Sequence, residues 1–177
     1  GVKAPPPRPW LTLPVLLLAG AAQGQGGACE QLKARLAAGT RLQLALFQID
    51  TDDELVVASA SGGRSRFQNA AQTRRRGIEL ALESRLSEAL RAHLAYTRID
   101  ATYSQAFSSN GRMIEAGNHL PGIPAHSLYG ELNWQPASGV STAIEAMYRS
   151  ELYVEDSNSA RSAPSYALFN WQARFEQ

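Results

Sequence analysis

Apolar and polar residues alternate along most of the chain from Arg41 to its end. Ile78, Leu80 and Leu82, for example, occupy every second position, with glutamate or alanine between them. Alternation with a period of two predicts strands with two different faces. The first alternating stretch contains the acidic residues Asp50–Glu54, and we interpret it as one long strand or as a strand with a bulge. The six predicted strands are Arg41–Val57, Arg64–Ser84, Leu90–Tyr103, Leu128–Trp134, Val140–Tyr148 and Ala167–Phe175.

Short and long connections between these strands alternate. The connections Ser84–Glu88 and Pro136–Gly139 are tight turns, whereas Ser104–Ala125 and Ser150–Pro164 are long, polar and rich in Ser and Asn. Short turns at one end and long loops at the other are typical of outer-membrane barrels. The pattern predicts an all-β fold, a curved antiparallel meander sheet that forms a partial transmembrane β-barrel of about six long strands. A soluble antiparallel sandwich also alternates apolar and polar residues and is the competing interpretation.

The first 24 residues have the layout of a secretory signal peptide. Lys3 and Arg8 precede the apolar run Trp10–Ala22, and no acidic residue occurs among them. The run is too short for a membrane-spanning helix, and small residues offer cleavage sites after Ala21 or Gly24. We therefore expect residues 1–24 to direct export.

Residues 25–40 predict a short helix or linker ahead of the sheet. Glu30–Ala38 is rich in helix formers and is followed by Gly39, a typical helix stop. The alternating pattern begins only after it, so a junction near Thr40 is expected, with the barrel part occupying residues 41–177.

Composition excludes several classes of site. Lysine and arginine number 17 and aspartate and glutamate 16, a balance that indicates no nucleic-acid partner. The only cysteine, Cys29, excludes an internal disulfide framework and a thiolate zinc site, because both need several cysteines.

Four motifs resemble, in the same order, the C-terminal half of the barrel of TonB-dependent outer-membrane receptors. The first contains Asn69 and then Gly77, one residue and Glu79, and the third is the most specific, since it closes on proline and histidine before the next strand. Together they cover most of Leu42–Gln177. The motifs are Phe67–Leu80, Ala95–Ala101, Ala116–His126, and Tyr153–Asn158 followed by Tyr166–Asn170.

This resemblance implies part of a bacterial outer-membrane receptor for ferric siderophores or similar large nutrients. In that family a barrel of about 22 strands surrounds a plug. The implied partners are outer-membrane lipid and, for a full-length parent, the nutrient and the TonB system. No plug pattern, TonB-contacting segment or terminal aromatic strand is found in this sequence, so we expect a fragment that does not transport alone.

Two alternatives remain open. One is a small complete outer-membrane barrel with a structural or adhesin role, in which the first two stretches break at Asp50–Glu54 and near Gln72 to give eight short strands. The other is an exported soluble β-sandwich that acts as a binding module.

Several residue types in the motifs have physical explanations. Gly77 stands within a strand, where glycine indicates a bulge or a close approach of a neighbour. Glu79 and Glu83 share one face, and because a charge facing lipid is costly, that face should be the lumen. Pro121 and Pro124 lack amide donors and suit a loop end.

No residue is predicted to be catalytic, to bind a cofactor or to bind a metal, and substrate-binding residues are left unassigned. Arg74–Arg76 could contact an anionic lipid head group or a ferric chelate, but a solvated charged run is the favoured interpretation. His93, His119 and His126 lack metal-ligand spacing. Asp50–Glu54 lacks the glycine and the terminal glutamate of a calcium loop, and no serine lies in a nucleophile elbow. The sequence therefore predicts no enzyme.

Overall fold

The computed structural model describes residues 18–24, 27–37, 39–61, 64–109, 111–159 and 163–176. These residues form ten strands and no helix. None of them belongs to a helix long and apolar enough to cross a membrane. The strands are β1 (Leu18–Gly24), β2 (Gly27–Ala37), β3 (Thr40–Ser61), β4 (Arg64–Arg85), β5 (Leu90–Tyr103), β6 (Phe107–Ser109), β7 (Arg112–Ile114), β8 (His126–Ala137), β9 (Val140–Arg149) and β10 (Tyr166–Phe175).

Eight of the strands form one antiparallel meander sheet in the order β1-β2-β3-β4-β5-β8-β9-β10. The remaining two, β6 and β7, form a small hairpin within the connection between β5 and β8. All six predicted strands are confirmed, and the predicted irregularity in the first is found as register shifts between Thr51 and Leu55. Instead of breaking into shorter strands, β3 and β4 each run for 22 residues.

The connections sort to the two ends of the sheet as expected. At one end, tight turns contain Gly39 and Gly139, whose φ angles of 84° and 76° favour glycine. Their carbonyls accept hydrogen bonds from the amides of Arg85 (2.8 Å) and Glu176 (2.7 Å), respectively. We call this the short-turn end. The opposite, long-loop end carries the two long connections between β5 and β8 and between β9 and β10.

Little of the sheet is buried. A cluster of buried apolar residues lies at the long-loop end, where Tyr103, Phe107 and Ile114 pack together. By contrast, Phe169 and Trp171 in β10 are 76% and 74% exposed. Because a soluble sandwich buries one face of each sheet in a core, these exposed aromatic residues argue against that alternative.

The structure corrects the predicted helix. Residues 27–37 form β2, which pairs in register with β3 across the expected junction near Thr40. Helix propensity is a weak preference that strand pairing overrides, as here where Leu32 lies opposite Leu44 and Ala34 opposite Leu42. Residues 31–34 also alternate between exposed and less exposed positions. In the sequence itself, polar Gln31 and Lys33 alternate with apolar Leu32 and Ala34, and this pattern was the signal for a strand.

The predicted signal segment lies mostly outside the described residues. Its first 17 residues belong to the part that the structure does not describe, and Leu18–Gly24 form β1, which pairs with β2. The sheet therefore contains two strands, β1 and β2, beyond the six predicted.

Candidate functional site

One row of polar side chains crosses six strands on a single face of the sheet. Paired residues of antiparallel strands project to the same face, and each member of the row pairs with the next. The Arg41 guanidinium lies 4.0 Å from the Glu83 carboxylate, and the Asn170 amide donates to Glu145 at 3.4 Å. Glu79 shares this face with Glu83, as predicted. We call the six paired residues the polar row. They are Arg41, Glu83, His93, Glu131, Glu145 and Asn170.

The opposite side of the sheet is the apolar face. Its side chains are aliphatic or aromatic over several consecutive rows, and many are exposed, including Ile144 (53%) and Trp134 (50%). Such a surface is stable against lipid rather than water. The apolar face consists of Leu42, Leu44, Leu46, Ile78, Leu80, Leu82, Leu94, Tyr96, Leu128, Leu132, Trp134, Ile144, Tyr148, Phe169 and Trp171.

The apolar face is offset from strand to strand. Leu46 in β3 pairs with Ile78 in β4, but the same row continues to Arg98 in β5 and His126 in β8. The rows of paired residues therefore cross the apolar face at an angle instead of following its border. This means that the strands are tilted relative to the border of the apolar face. Tilted strands are required when a sheet curves into a barrel.

The three consecutive arginines divide between the two faces. Arg74 and Arg76 lie on the side of the apolar face, beyond its border toward the long-loop end, and both are exposed. Arg74 donates to Asp50 at 2.6 Å, and Arg76 donates to Asp100 at 2.9 and 3.0 Å. The donors Arg74 and Gln48 hold the pKa of the Asp50 carboxyl, which lies outside the apolar band, below its usual value. These two arginines fit the expected solvated charges.

Arg75 points to the face of the polar row. Its guanidinium donates to the hydroxyls of Thr73 (3.0 Å) and Thr51 (3.4 Å). Thr73 is almost fully buried beneath the long-loop end, so its hydrogen bond with Arg75 holds the guanidinium there. The triplet is thus not one site.

Two of the sequence motifs meet at the long-loop end. The backbone amide of His119, in the third motif, donates to the Asn158 side-chain oxygen at 2.6 Å, and the Asn158 amide donates back to the His119 carbonyl at 2.9 Å. Asn158 has a φ of 52°, a conformation that asparagine tolerates better than most residues. The His119 ring stacks on Tyr153, with centroids 5.3 Å apart. The two long loops therefore dock on each other.

A second contact ties the docked loops to the sheet. The hydroxyl of Tyr103, the last residue of β5, donates to Asp156 at 2.7 Å, and the Asn118 amide donates to the Asp156 carbonyl at 3.0 Å. Tyr103 is only 3% exposed and packs with Phe107 and Leu120. Because Tyr103 points to the face of the polar row, this contact holds the loop between β9 and β10 against that side of the sheet. The sequence predicts no role for Tyr103, Asp156 or Asn158, and only Asp156 and Asn158 lie within one of the quoted motifs.

The histidines are dispersed. His93 lies in the polar row with its ring centroid 5.7 Å from that of Tyr129, whereas Nδ1 of His126 shares a hydrogen bond of 2.8 Å with the Tyr96 hydroxyl. His119 is part of the docked loops. Within the described residues, no group of three or more His, Cys, Asp or Glu side chains is placed to hold a metal ion.

The comparisons with known proteins agree with this geometry. Residues 33–176 match the family described as TonB dependent receptor-like, β-barrel. Among solved structures, the chain is similar to the siderophore receptor PiuA from Acinetobacter baumannii, with a TM-score of 0.65 and 17% identity over 84% of this chain and 22% of that one. It is also similar to the ferric yersiniabactin uptake receptor FyuA from Yersinia pestis, with a TM-score of 0.62 and 17% identity over 82% and 21% of the two chains.

A third similar structure is BauA, the ferric preacinetobactin receptor from Acinetobacter baumannii, with a TM-score of 0.63 and 19% identity over 84% and 22% of the two chains. At these identities the likeness establishes the fold, and the chain spans about a fifth of the length of each receptor. The family match, which covers most of the chain, establishes more. This chain belongs to the TonB-dependent receptor family of transporters and forms part of a β-barrel in the bacterial outer membrane.

Proposed function

We propose that this chain forms part of the wall and outer mouth of a receptor that takes up ferric siderophores, or nutrients of similar size, with energy from TonB. Family membership supports uptake, and the names of PiuA, FyuA and BauA support a ferric siderophore as the nutrient. The observation that carries the proposal is the docking of the two long loops through His119 and Asn158. A pair of ordered loops over the mouth is a surface that a large ligand meets first.

The polar row supports a water-filled lumen on that side of the sheet. Glu131 and Glu145 lie directly opposite each other in β8 and β9. Like charges in that position repel, and exposure to lipid would raise the cost of each charge. Water in the lumen, or a cationic group presented there, lowers this cost. The apolar face then contacts the outer-membrane lipid.

Transport, in this proposal, requires strands beyond those described. The strand order begins at β1 and ends at β10, and these two strands do not pair with each other. An unpaired strand edge in lipid leaves amides and carbonyls unsatisfied, at several kcal/mol each. The chain therefore acts as one sector of a larger closed wall and does not conduct a nutrient by itself.

The chain catalyses no reaction, since the role of a receptor wall is binding and passage. Residues 1–24 direct export, with cleavage after Ala21 or Gly24, and cleavage there would leave β2 as the first strand of the sheet. Mass spectrometry of the N-terminus of the mature protein tests this part: an intact Leu18–Gly24 segment would overturn it.

Uptake is tested with the protein that contains this chain, produced in a bacterial strain that lacks its own siderophore receptors. The measurement is uptake of radioactive iron supplied as catecholate, hydroxamate or mixed-type siderophores, with cobalamin as a separate cargo. We expect uptake of at least one of these nutrients in cells with TonB and none in otherwise identical cells without it. Uptake of none of them, or uptake independent of TonB, would refute the proposed function.

A further inference from the structure

His119 lies between strand β5 and the loop that joins β9 to β10. On one side, His119 forms an isolated β-bridge with Thr102, and the amide of the next residue, Leu120, donates to the Ala101 carbonyl at 2.9 Å. On the other side, the Asn158 side chain bonds to both backbone groups of His119. His119 therefore joins the sheet to the loop between β9 and β10.

The carboxylate of Asp100 in β5 faces the His119 ring. Oδ1 of Asp100 lies 3.9 Å from Nδ1 of His119, and the two side chains are 39% and 47% exposed, respectively. Arg76 in β4 donates two hydrogen bonds, of 2.9 and 3.0 Å, to the other carboxylate oxygen, Oδ2. Arg76 thus fixes the carboxylate without occupying the oxygen that faces His119.

The His119 ring also contacts the loop between β9 and β10 through Tyr153. The two rings are nearly parallel, with centroids 5.3 Å apart and planes inclined by 7°. A cation within about 6 Å of an aromatic centroid is attracted by the negative face of that ring. The Tyr153 carbonyl in turn accepts a hydrogen bond of 2.9 Å from the amide of Gly122, in the loop between β5 and β8. A positive charge on the His119 ring therefore strengthens the contact between the two loops.

The charged side chains around His119 come from both strands and both loops. They are Arg76 in β4, Arg98 and Asp100 in β5, Glu115 in the loop of His119, and Glu155 and Asp156 in the loop between β9 and β10. The arginines oppose a positive ring, but the charge of Arg76 is paired with Asp100. The carboxylates of Glu155 and Asp156 accept hydrogen bonds from serine and tyrosine hydroxyls. Within the described residues, Asp100 is the carboxylate that forms an ion pair with a protonated His119.

We propose that His119 is a pH-sensitive latch, which holds the two long loops together more firmly when its ring is protonated. The imidazolium pairs with Asp100 and makes a cation–π contact with Tyr153, whereas the neutral ring retains only the stacking. Because histidine ordinarily changes its charge between about pH 5 and pH 8, the latch is tight in acid and loosens as the pH rises. An effect on nutrient access at the mouth rests on the proposed function, but the latch itself does not.

The test is hydrogen exchange of the Gly122 amide in the protein that contains this chain, reconstituted in lipid vesicles and measured at about pH 5.5 and about pH 8. Because this amide is bonded to the Tyr153 carbonyl, it exchanges when the loops separate. Its protection is expressed relative to an unstructured peptide at the same pH, which removes the intrinsic effect of pH on exchange. We expect about threefold to tenfold higher protection at the lower pH, the combined effect of an exposed ion pair and a cation–π contact.

Three variants separate the latch from a general effect of pH. His119→Phe keeps a stacked ring without the charge, so its protection should be equal at the two pH values. Asp100→Asn should reduce the difference between them. His93→Gln is the matched control and should respond like the wild type, because His93 lies on β5 but faces the polar row. Equal protection of the wild type at both pH values, or a wild-type response in either His119→Phe or Asp100→Asn, would overturn the proposal. Loss of the response in His93→Gln would overturn it as well.

Discussion

The ring of Phe47 in β3 covers Gly77 in β4. The two residues are paired across the sheet, and a Cβ atom added at Gly77 would lie 2.7 Å from Cζ of Phe47 and would also collide with the backbone carbonyl oxygen of Arg98. The glycine predicted to mark a bulge or a close approach therefore marks a close approach. An aromatic side chain over a cross-strand glycine covers backbone that glycine leaves bare.

Gly77→Ala should destabilise the sheet by about 1–3 kcal/mol, the usual cost of inserting a methyl group into a filled space. The free energy of unfolding in urea, measured in lipid vesicles, checks this value. Gly130→Ala is the control, because a Cβ there meets only Leu94 Cδ1 at 3.8 Å, an ordinary contact. Equal stability of the two variants would show that Phe47 does not constrain Gly77.

Asn158→Ala should release the loop between β9 and β10 from the loop between β5 and β8. It removes the side-chain oxygen that accepts from the His119 amide and the donor to the His119 carbonyl. We expect faster hydrogen exchange at the His119 amide, by about tenfold for each 1.4 kcal/mol of local stability lost. Asn133→Ala, in β8, should leave this exchange rate unchanged. Retained protection in Asn158→Ala would mean that other contacts hold the loops together.

Tyr103→Phe tests the link between the docked loops and β5. The substitution leaves the ring packed but removes the hydroxyl that donates to Asp156 at 2.7 Å. We expect the free energy of unfolding to fall by about 1–3 kcal/mol, because the half-buried Asp156 carboxylate loses a hydrogen-bond donor. Tyr153→Phe is the matched control, since the Tyr153 ring stacks on His119 and its hydroxyl has no hydrogen bond within the described residues. The melting temperature of Tyr103→Phe should be lower than that of Tyr153→Phe. Equal melting temperatures would contradict a specific role for the Tyr103 hydroxyl.

Ile144→Arg and Glu145→Arg should differ strongly, although the two positions are adjacent. Ile144 lies on the apolar face and Glu145 in the polar row. An arginine facing the middle of the membrane costs about 2–4 kcal/mol, whereas one facing the lumen costs little. The folding free energy in lipid vesicles checks this difference. A smaller loss for Ile144→Arg than for Glu145→Arg would reverse the assignment of the faces.

Much of the sheet was predictable because burial on one side imposes a period of two on the sequence. Ile78, Leu80 and Leu82 against Glu79 and Glu83 indicated both the strand and its faces, and the register confirms them. The two N-terminal strands were missed because local composition pointed elsewhere. Leu32 and Ala34 resemble residues of a helix until their pairing with β3 is known.

The docked loops were beyond sequence reasoning for a different reason. His119 and Asn158 are 39 residues apart, and their contact depends on a backbone conformation at Asn158 that no periodic pattern reports. The motifs identified both segments separately. Likewise, Arg74–Arg76 appeared as one charged run, and only the alternation of strand faces separates Arg75 from its neighbours.

The assignment of the two faces implies that β9 spans the membrane with alternate residues in lipid and in the lumen. Spin labels attached to single cysteines at residues 140 to 149, in a Cys29→Ser background, measure it through collisions with oxygen, which concentrates in lipid. We predict oxygen accessibility that peaks at Thr142, Ile144, Ala146 and Tyr148 and falls at the residues between them. Accessibility without this alternation, or with peaks at Ala143, Glu145 and Met147, would show that β9 does not cross the membrane with its apolar side in lipid.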